Sequence, residues 1–177
     1  METPVTHLPL ATVAAAEFRK RQGRAREVIA NRGMSRSQAE QHLRPWLAIA
    51  CICGADLPEL AELLADRRSD VKHFGDRRHG SAGDISPVDL MEAEARWLAA
   101  DDICPRARWV PVLAAARDDA FDRYLAANTT GNQNAALVNA AATLQRMALH
   151  LRYDVNGCHM PPYRGPASNA VATQAAA

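Results

Sequence analysis

Two histidines and two aspartates in one glycine-containing stretch are the side chains of this sequence best suited to acid–base or metal chemistry. His73 and His79 flank Asp76, and Asp84 follows, within the charged segment 69–86. Imidazole and carboxylate groups can exchange protons near neutral pH or ligate cations. The spacings of known catalytic motifs do not occur, since there is no HExxH, no GxSxG and no Walker glycine pattern. A polar surface loop is the favoured interpretation, and an enzyme centred on this loop is a third hypothesis.

The four cysteines raise the question of a metal site. Cys51 and Cys53 are close in sequence, and Cys104 and the Cys158–His159 pair are further ligand types. Residues two apart on a helix point in nearly opposite directions, so Cys51 and Cys53 cannot share one zinc ion. The cysteines also lack the spacing of a disulfide framework. We therefore predict reduced, buried thiols, with no bound metal and no cofactor.

The stretch "AIACICGADLPELAELLADRR", residues 48–68, resembles two short helices that meet at a glycine. Ala50, Gly54, Leu60 and Leu63 occupy the small, turn and apolar positions of a helix-turn-helix unit. The exposed side of its second helix carries four carboxylates, on Asp56, Glu59, Glu62 and Asp66. Carboxylates repel DNA phosphates, so a plain helical hairpin is favoured over a DNA-reading one.

A basic segment, "FRKRQGRAREVIANRG" at residues 18–33, is the stronger candidate for contact with nucleic acid. The candidate phosphate-binding residues are Arg19, Lys20, Arg24, Arg26 and Arg36. No aromatic side chain is interleaved for base stacking, and Glu17 and Glu27 dilute the charge. A solvated helix face is favoured, and a nucleic-acid-binding regulator that uses this helix and the 46–66 hairpin is the alternative function.

Composition limits the choice of partners. The chain has 177 residues, a formal net charge of +1 and a charged fraction of 23%. A chain of this length fits one domain, and its net charge gives no overall attraction to phosphate or to an anionic membrane. No stretch is long and apolar enough to span a bilayer, and the first residues make a poor secretion signal. We expect a cytoplasmic protein that does not bind membranes, or one incorporated in a particle assembled in the cytoplasm.

Hydrophobic periodicity and end signals predict an all-α bundle of about six helices. The first helix runs from Thr12 and stops at Gly33. The second begins with a capping box of Ser37 and Glu40, contains Pro45, which should kink or split it, and ends at Gly54. The third runs from Asp56 to about Arg67, and the loop 69–86 follows.

The second half of the chain carries three further predicted helices. One extends from a cap at Ser86 to about Ala100, and the next opens at Pro105 and reaches about Ala127. The buried side of that fifth helix is predicted to contain Leu113, Ala116, Ala120, Phe121 and Tyr124. Asn128 to Asn134 form a break, and the sixth helix follows.

The sixth helix and the chain after it suggest contact with another protein. Leucine and alanine alternate along it at steps of four and three residues, which is typical of a helix packed lengthwise on a partner. These seam residues are Leu137, Ala141, Leu144, Ala148 and Leu151. Residues 153–177 are rich in proline, glycine and small side chains, and form a predicted flexible arm with Tyr153, Met160 and Tyr163 as contact residues.

These observations predict a lead-in at residues 1–9, one helical domain at 10–152 and a C-terminal arm at 153–177. No motif is specific enough to assign a family, and no set of reactive groups converges. The leading hypothesis is therefore a non-enzymatic assembly protein that binds other subunits, as a homo- or hetero-oligomer, through its last helix and arm. Small helical adaptors of phage or mobile-element particles have this layout, which is an analogy of architecture.

Overall fold

The computed structural model describes residues 8–75, 87–131 and 134–151, which form an all-α bundle as predicted. Its six α-helices, counted within those ranges, are α1 (Leu10–Ala30), α2 (Arg36–Ile52), α3 (Ala61–Gly75), α4 (Pro87–Ile103), α5 (Arg106–Thr129) and α6 (Ala135–His150). One turn of 3-10 helix, Pro58–Leu60, leads into α3. The predicted arm, residues 153–177, and most of the predicted lead-in lie outside the described residues.

Helix α2 is the centre of the bundle. It packs against α1, α4 and α5, while α3 covers α4, and α6 lies on α5 and α1. Ala48, Ile49, Ala50 and Cys51 are each 0% exposed. Most of these side chains are small, and α4 presents Ala95, Ala99 and Ala100 to the same core, so neighbouring helices can approach closely. All six helices contribute to this single hydrophobic core.

The turn after α2 is fixed by a glycine and an arginine. Gly54 adopts φ +85°, a left-handed conformation that glycine tolerates, and the Ala55 amide donates to the Ala50 carbonyl at 2.9 Å. Arg96 of α4 then donates to the carbonyls of Cys51 and Ala55 at 3.2 and 3.1 Å. Its Nε also donates to Glu92 at 2.7 Å. A mostly buried arginine thus donates to one carbonyl at the end of α2 and to one in the turn that follows it, where both residues are buried.

Ion pairs attach the 3-10 turn and α3 to their neighbours. Arg68 donates to both carboxylate oxygens of Glu92 at 2.6 and 2.8 Å. The hydrogen bond from Arg68 holds the pKa of Glu92 below its ordinary value. Arg67 pairs with Asp102 at 2.6 Å, and Arg19 of α1 pairs with Glu59 at 2.6 Å. These ion pairs neutralise exposed charges on one side of the bundle.

The capping box predicted for α2 is wrong in detail. It is formed by Ser35 and Gln38, since the Ser35 hydroxyl accepts from the Gln38 amide at 3.2 Å and the Gln38 side chain accepts from the Ser35 amide at 2.8 Å. The sequence holds two overlapping boxes, and the earlier one starts the helix sooner. Helix α2 is one continuous element across Pro45, which excludes the predicted split, and a kink there stays a prediction.

The predicted loop 69–86 begins too early, because α3 continues to Gly75. Val71 is 3% exposed and extends the buried side formed by Leu60 and Leu64, and the pair of Arg67 with Asp70 spans the turn between them. Val71 is buried two turns after Leu64, and this packing against the core stabilises the helix in a segment that is otherwise charged. Residues 76–86, with His79, lie outside the described residues.

Helix α1 ends differently from its prediction. Arg32, not Gly33, takes the left-handed conformation, with φ 57°. The Gly33 amide donates to the Val28 carbonyl at 2.9 Å, and a Cβ at Gly33 would lie 2.9 Å from Val28 Cγ1. Glycine is therefore needed here for a close approach over Val28.

We expect Arg96→Met to lower the free energy of unfolding by about 3 kcal/mol, because it removes the hydrogen bonds of Arg96 to two buried carbonyls and to Glu92, which keeps only Arg68 as its cation. Arg123→Ala is the matched control, since Arg123 pairs with Asp119 on the surface at 2.8 Å, where the loss should stay below about 1 kcal/mol. Urea unfolding followed by circular dichroism measures both values. Equal losses in the two variants would contradict the capping role of Arg96.

Candidate functional site

The predicted contact seam of α6 is largely used inside the protein. Leu144 and Leu151 are 4% and 5% exposed and belong to the hydrophobic core, together with Met147 at 0%. Ala141, Ala148 and Leu137 are half-buried. Helix α6 packs on α5 and α1 of the same chain, so Leu144 and Leu151 are buried inside the bundle, and their contact with another subunit stays a prediction. Tyr153, Met160 and Tyr163 lie outside the described residues.

The opposite side of the α5–α6 pair exposes apolar side chains instead. Six large hydrophobic residues of the described part are exposed, and four of them lie on these two helices. Those four are Phe121 at 51%, Leu125 at 44%, Val138 at 41% and Leu149 at 45%. Phe121 was predicted to be buried, which is wrong, although Leu113 of the same predicted side is 4% exposed. Exposed large apolar side chains concentrated on two neighbouring helices are typical of an interaction site.

Between the two helices lies a groove of about 260 Å³, which we name the α5–α6 groove. It is lined by Arg117, Phe121, Tyr124, Val138, Ala141, Ala142 and Gln145. The rings of Phe121 and Tyr124 are 6.1 Å apart and tilted by 40°, so they form one aromatic wall. The small side chains Ala141 and Ala142 form the other wall, and they leave room for an incoming side chain.

The surface exposure of Phe121, Leu125 and Val138 was not predicted from the sequence. A signal was present, because α6 is apolar around much of its circumference while one neighbour can cover only one stripe. The surplus stripe, Val138, Ala142, Gln145 and Leu149, follows helical spacing. On α5 the matching pair is Phe121 and Leu125, one turn apart.

Three of the five candidate nucleic-acid-binding residues lie close to a carboxylate group. Arg19 pairs with Glu59, Lys20 lies 3.8 Å from a carboxylate oxygen of Glu17, and Arg36 lies 3.5 Å from one of Glu40. Arg24 and Arg26 form no ion pair with any described residue. Contact with nucleic acid through these five residues stays a prediction.

In the structure, the basic residues that a DNA-binding helix-turn-helix would need are already paired with carboxylates. Arg67 and Arg68, the basic residues at the end of the hairpin, are both engaged with carboxylates of α3 or α4. Glu62 and Asp66 are exposed on the outer side of α3. The described hairpin therefore presents uncompensated negative charge where a DNA-reading helix needs positive charge.

The cysteines of the described part are buried, as predicted for structural thiols. Cys51, Cys53 and Cys104 are free thiols in the core. Burial raises the pKa of Cys51 to about 11 and that of Cys53 to about 12. Within the described residues no group of three or more His, Cys, Asp or Glu side chains could hold a metal ion. His79, Cys158 and His159 lie outside that part, and of His73 only the backbone, in α3, is described.

None of the described helices combines the length and the hydrophobicity needed to cross a bilayer.

Comparison with models of protein families, with curated proteins and with solved structures gave no match. A function for this chain must therefore be inferred from its own geometry.

We expect Cys51 to react slowly with iodoacetamide in the folded protein. Its pKa lies about two units above the ordinary value of 9.0, so at pH 8 the thiolate fraction falls about a hundredfold relative to the unfolded chain. Because the folded thiol keeps its proton more strongly, the stability linked to it is lost as pH rises from about 9 through about 11. Peptide mapping by mass spectrometry, with and without urea, gives the rates, and equal rates would contradict the burial of this thiol.

Proposed function

We propose that this protein is a non-enzymatic assembly module that binds a helix of another protein subunit in the α5–α6 groove. The observation that carries the proposal is that the exposed side chains of Phe121 and Val138 line one apolar groove, with Leu125 and Leu149 also exposed on the same two helices. About half of each of these residues stays uncovered within the described part of the chain. Their burial on binding would supply about 25 cal/mol for each Å² removed from water.

The shape of the groove favours a helix over a small molecule. Its volume of about 260 Å³ is below the roughly 300–1,000 Å³ of typical small-molecule sites. It lies between two helices that pack on each other, α5 and α6, so a third helix laid on them can insert side chains that are one turn apart. Such an occupant would convert the two-helix surface into a three-helix unit with interdigitated side chains.

The chemistry of the groove specifies an apolar occupant. Arg117 is the cation at its edge, and its guanidinium already pairs with Asp118 at 2.8 Å. Tyr124 and Gln145 are the remaining polar groups of the lining. An occupant with leucine- or valine-sized side chains matches this surface, and a charged one would lose its hydration without compensation.

The proposed interface is a protein–protein contact, as expected from the sequence, but it lies on a different side of α6. Helix α6 still contributes, but through Val138, Ala141 and Ala142 in place of Leu144 and Leu151. Tyr153, Met160 and Tyr163 stay predicted contact residues, since they follow α6 in the chain. An adaptor that joins subunits in a particle is the class of protein that such an exposed helix pair suits.

We expect Phe121→Asp and Val138→Asp, each in the full chain, to abolish binding to the partner subunit while the protein stays folded. Both residues are exposed, so a charge there disrupts an apolar interface without entering the core. The measurement is capture of tagged protein from its native source with quantitative mass spectrometry, alongside sedimentation velocity of each purified variant. Sedimentation reports whether the partner is a second copy of the chain.

Leu98→Asp is the matched control, because Leu98 is 43% exposed on α4 and lies outside the groove. The proposal holds if wild type and Leu98→Asp recover the same protein and both groove variants lose it. Recovery of the same set by all four proteins, or a monomer that captures nothing in any form, contradicts the proposal. Thermal melts by circular dichroism show that each variant is folded.

A further inference from the structure

A second groove, on the side where α1, α2 and the beginning of α5 meet, combines positive charge with an apolar floor. We name it the basic groove. Arg24 of α1, His42 of α2 and Arg108 of α5 line its edges, and its volume is about 500 Å³. Val28, Leu43 and Val112 are among the side chains of its floor. It shares no lining residue with the α5–α6 groove, so a role for the basic groove is independent of the function proposed for the other one.

Two of the three arginines that line this groove are uncompensated, while the third, Arg21, pairs with Glu17. Arg24, His42 and Arg108 are exposed, and none of them forms an ion pair with a described residue. No carboxylate is part of the described lining. Unpaired arginines from two helices, α1 and α5, around one concavity produce a local positive potential in a molecule whose net charge is only +1.

The floor of the groove requires an occupant that is partly apolar. Val28, Leu43 and Val112 are half-buried, so each retains apolar surface that a ligand could cover. A phosphate backbone alone would leave this surface in contact with polar groups. An occupant with apolar side chains on one face and anionic groups at the edges fits both parts of the groove.

The aromatic residue of the groove is not accessible for base stacking. The guanidinium of Arg21 lies 3.3 Å from the ring centroid of Trp46 and pairs with Glu17, and Trp46 is 6% exposed. Proteins that bind single-stranded nucleic acid combine basic residues with free aromatic faces. The covered tryptophan therefore disfavours single-stranded nucleic acid as the occupant.

From this complementarity we propose that the basic groove binds an acidic amphipathic helix of a partner protein. Leucine-type side chains of that helix would lie on Val28, Leu43 and Val112. Its aspartates or glutamates would accept hydrogen bonds from Arg24 and Arg108, whose planar guanidinium groups match a carboxylate in two-point contact. The chain would then carry two docking sites of different chemistry, one apolar and one basic.

The test is selection from a displayed library of random peptides of about 16 residues, the length of a few helical turns. Full-length wild-type protein is the bait, and the variant R24E/R108E removes peptides that bind elsewhere. The enriched peptides should carry Asp or Glu beside Leu, Ile or Phe at helical spacing. A labelled synthetic copy should then bind wild type about tenfold or more tightly than R24E/R108E in fluorescence anisotropy.

Arg26→Glu is the matched control, since Arg26 is also exposed and unpaired on α1 but does not line the basic groove. It should change the affinity by less than about twofold. If R24E/R108E does not fold, the milder pair R24Q/R108Q replaces it, with a smaller loss expected. Phe121→Asp should leave peptide binding unchanged, so a failure of the function proposed for the α5–α6 groove is distinguishable from a failure here.

Three results would overturn the proposal. The enriched peptides could lack acidic residues, or they could bind R24E/R108E as well as wild type. Alternatively, single-stranded or duplex DNA of about 20 nucleotides could bind wild type more tightly than any selected peptide, with a steep salt dependence, and lose that binding in R24E/R108E. The last result would assign the basic groove to nucleic acid.

Discussion

The burial of α2 is the constraint on which the rest of the molecule depends. Its last two turns are shielded from water on every side, so neighbouring helices must approach closely and its C-terminal carbonyls must find donors in the protein. Alanine and cysteine side chains satisfy the first condition, as at Ala48, Ala50 and Cys51. The amides of Gly54 and Ala55 and the side chain of Arg96 satisfy the second, through the carbonyls of Ala50 and Cys51. Both grooves follow from this centre, because the helices that cover α2 turn one side inward and leave other sides without cover.

Charge is distributed unequally over the bundle, although the total nearly cancels. On the side of α3 and α4, arginines are neutralised by carboxylates, as in the pairs of Arg67 with Asp102 and Arg68 with Glu92. On the side of α1, α2 and the beginning of α5, Arg24 and Arg108 find no such partner among the described residues. Paired arginines at the surface add little stability and bind little else, whereas unpaired ones beside an apolar floor can still recognise an anion. The net charge of a chain therefore says little about what one of its surfaces can bind.

Local sequence signals predicted the positions of the helices well. Features that depend on contacts between distant residues were not predictable from those signals. Gly54 turns the chain where the sequence predicts the end of α2, since a left-handed turn is a property of one or two residues. The choice between Ser35 and Ser37 as cap, and the extension of α3 to Val71, depend on contacts made elsewhere in the chain. The seam of α6 was recognised, but periodicity cannot say whether its partner belongs to the same chain. The basic groove could not be predicted at all, because Arg24, His42 and Arg108 are distant in sequence and meet only through the packing of three helices.

Helix α5 contributes to both grooves, and the direction of its side chains decides whether they can be occupied together. Val112 lines the basic groove and Arg117 lines the α5–α6 groove, in one continuous helix of 24 residues. At 1.5 Å per residue they are separated by only about 8 Å along the axis, but at 3.6 residues per turn they lie about 140° apart around it. Two helical partners would therefore approach α5 from nearly opposite sides. Simultaneous binding in this way would join one apolar and one acidic partner through a single rigid helix, which is what a bridging adaptor requires and what a module with one site could not provide.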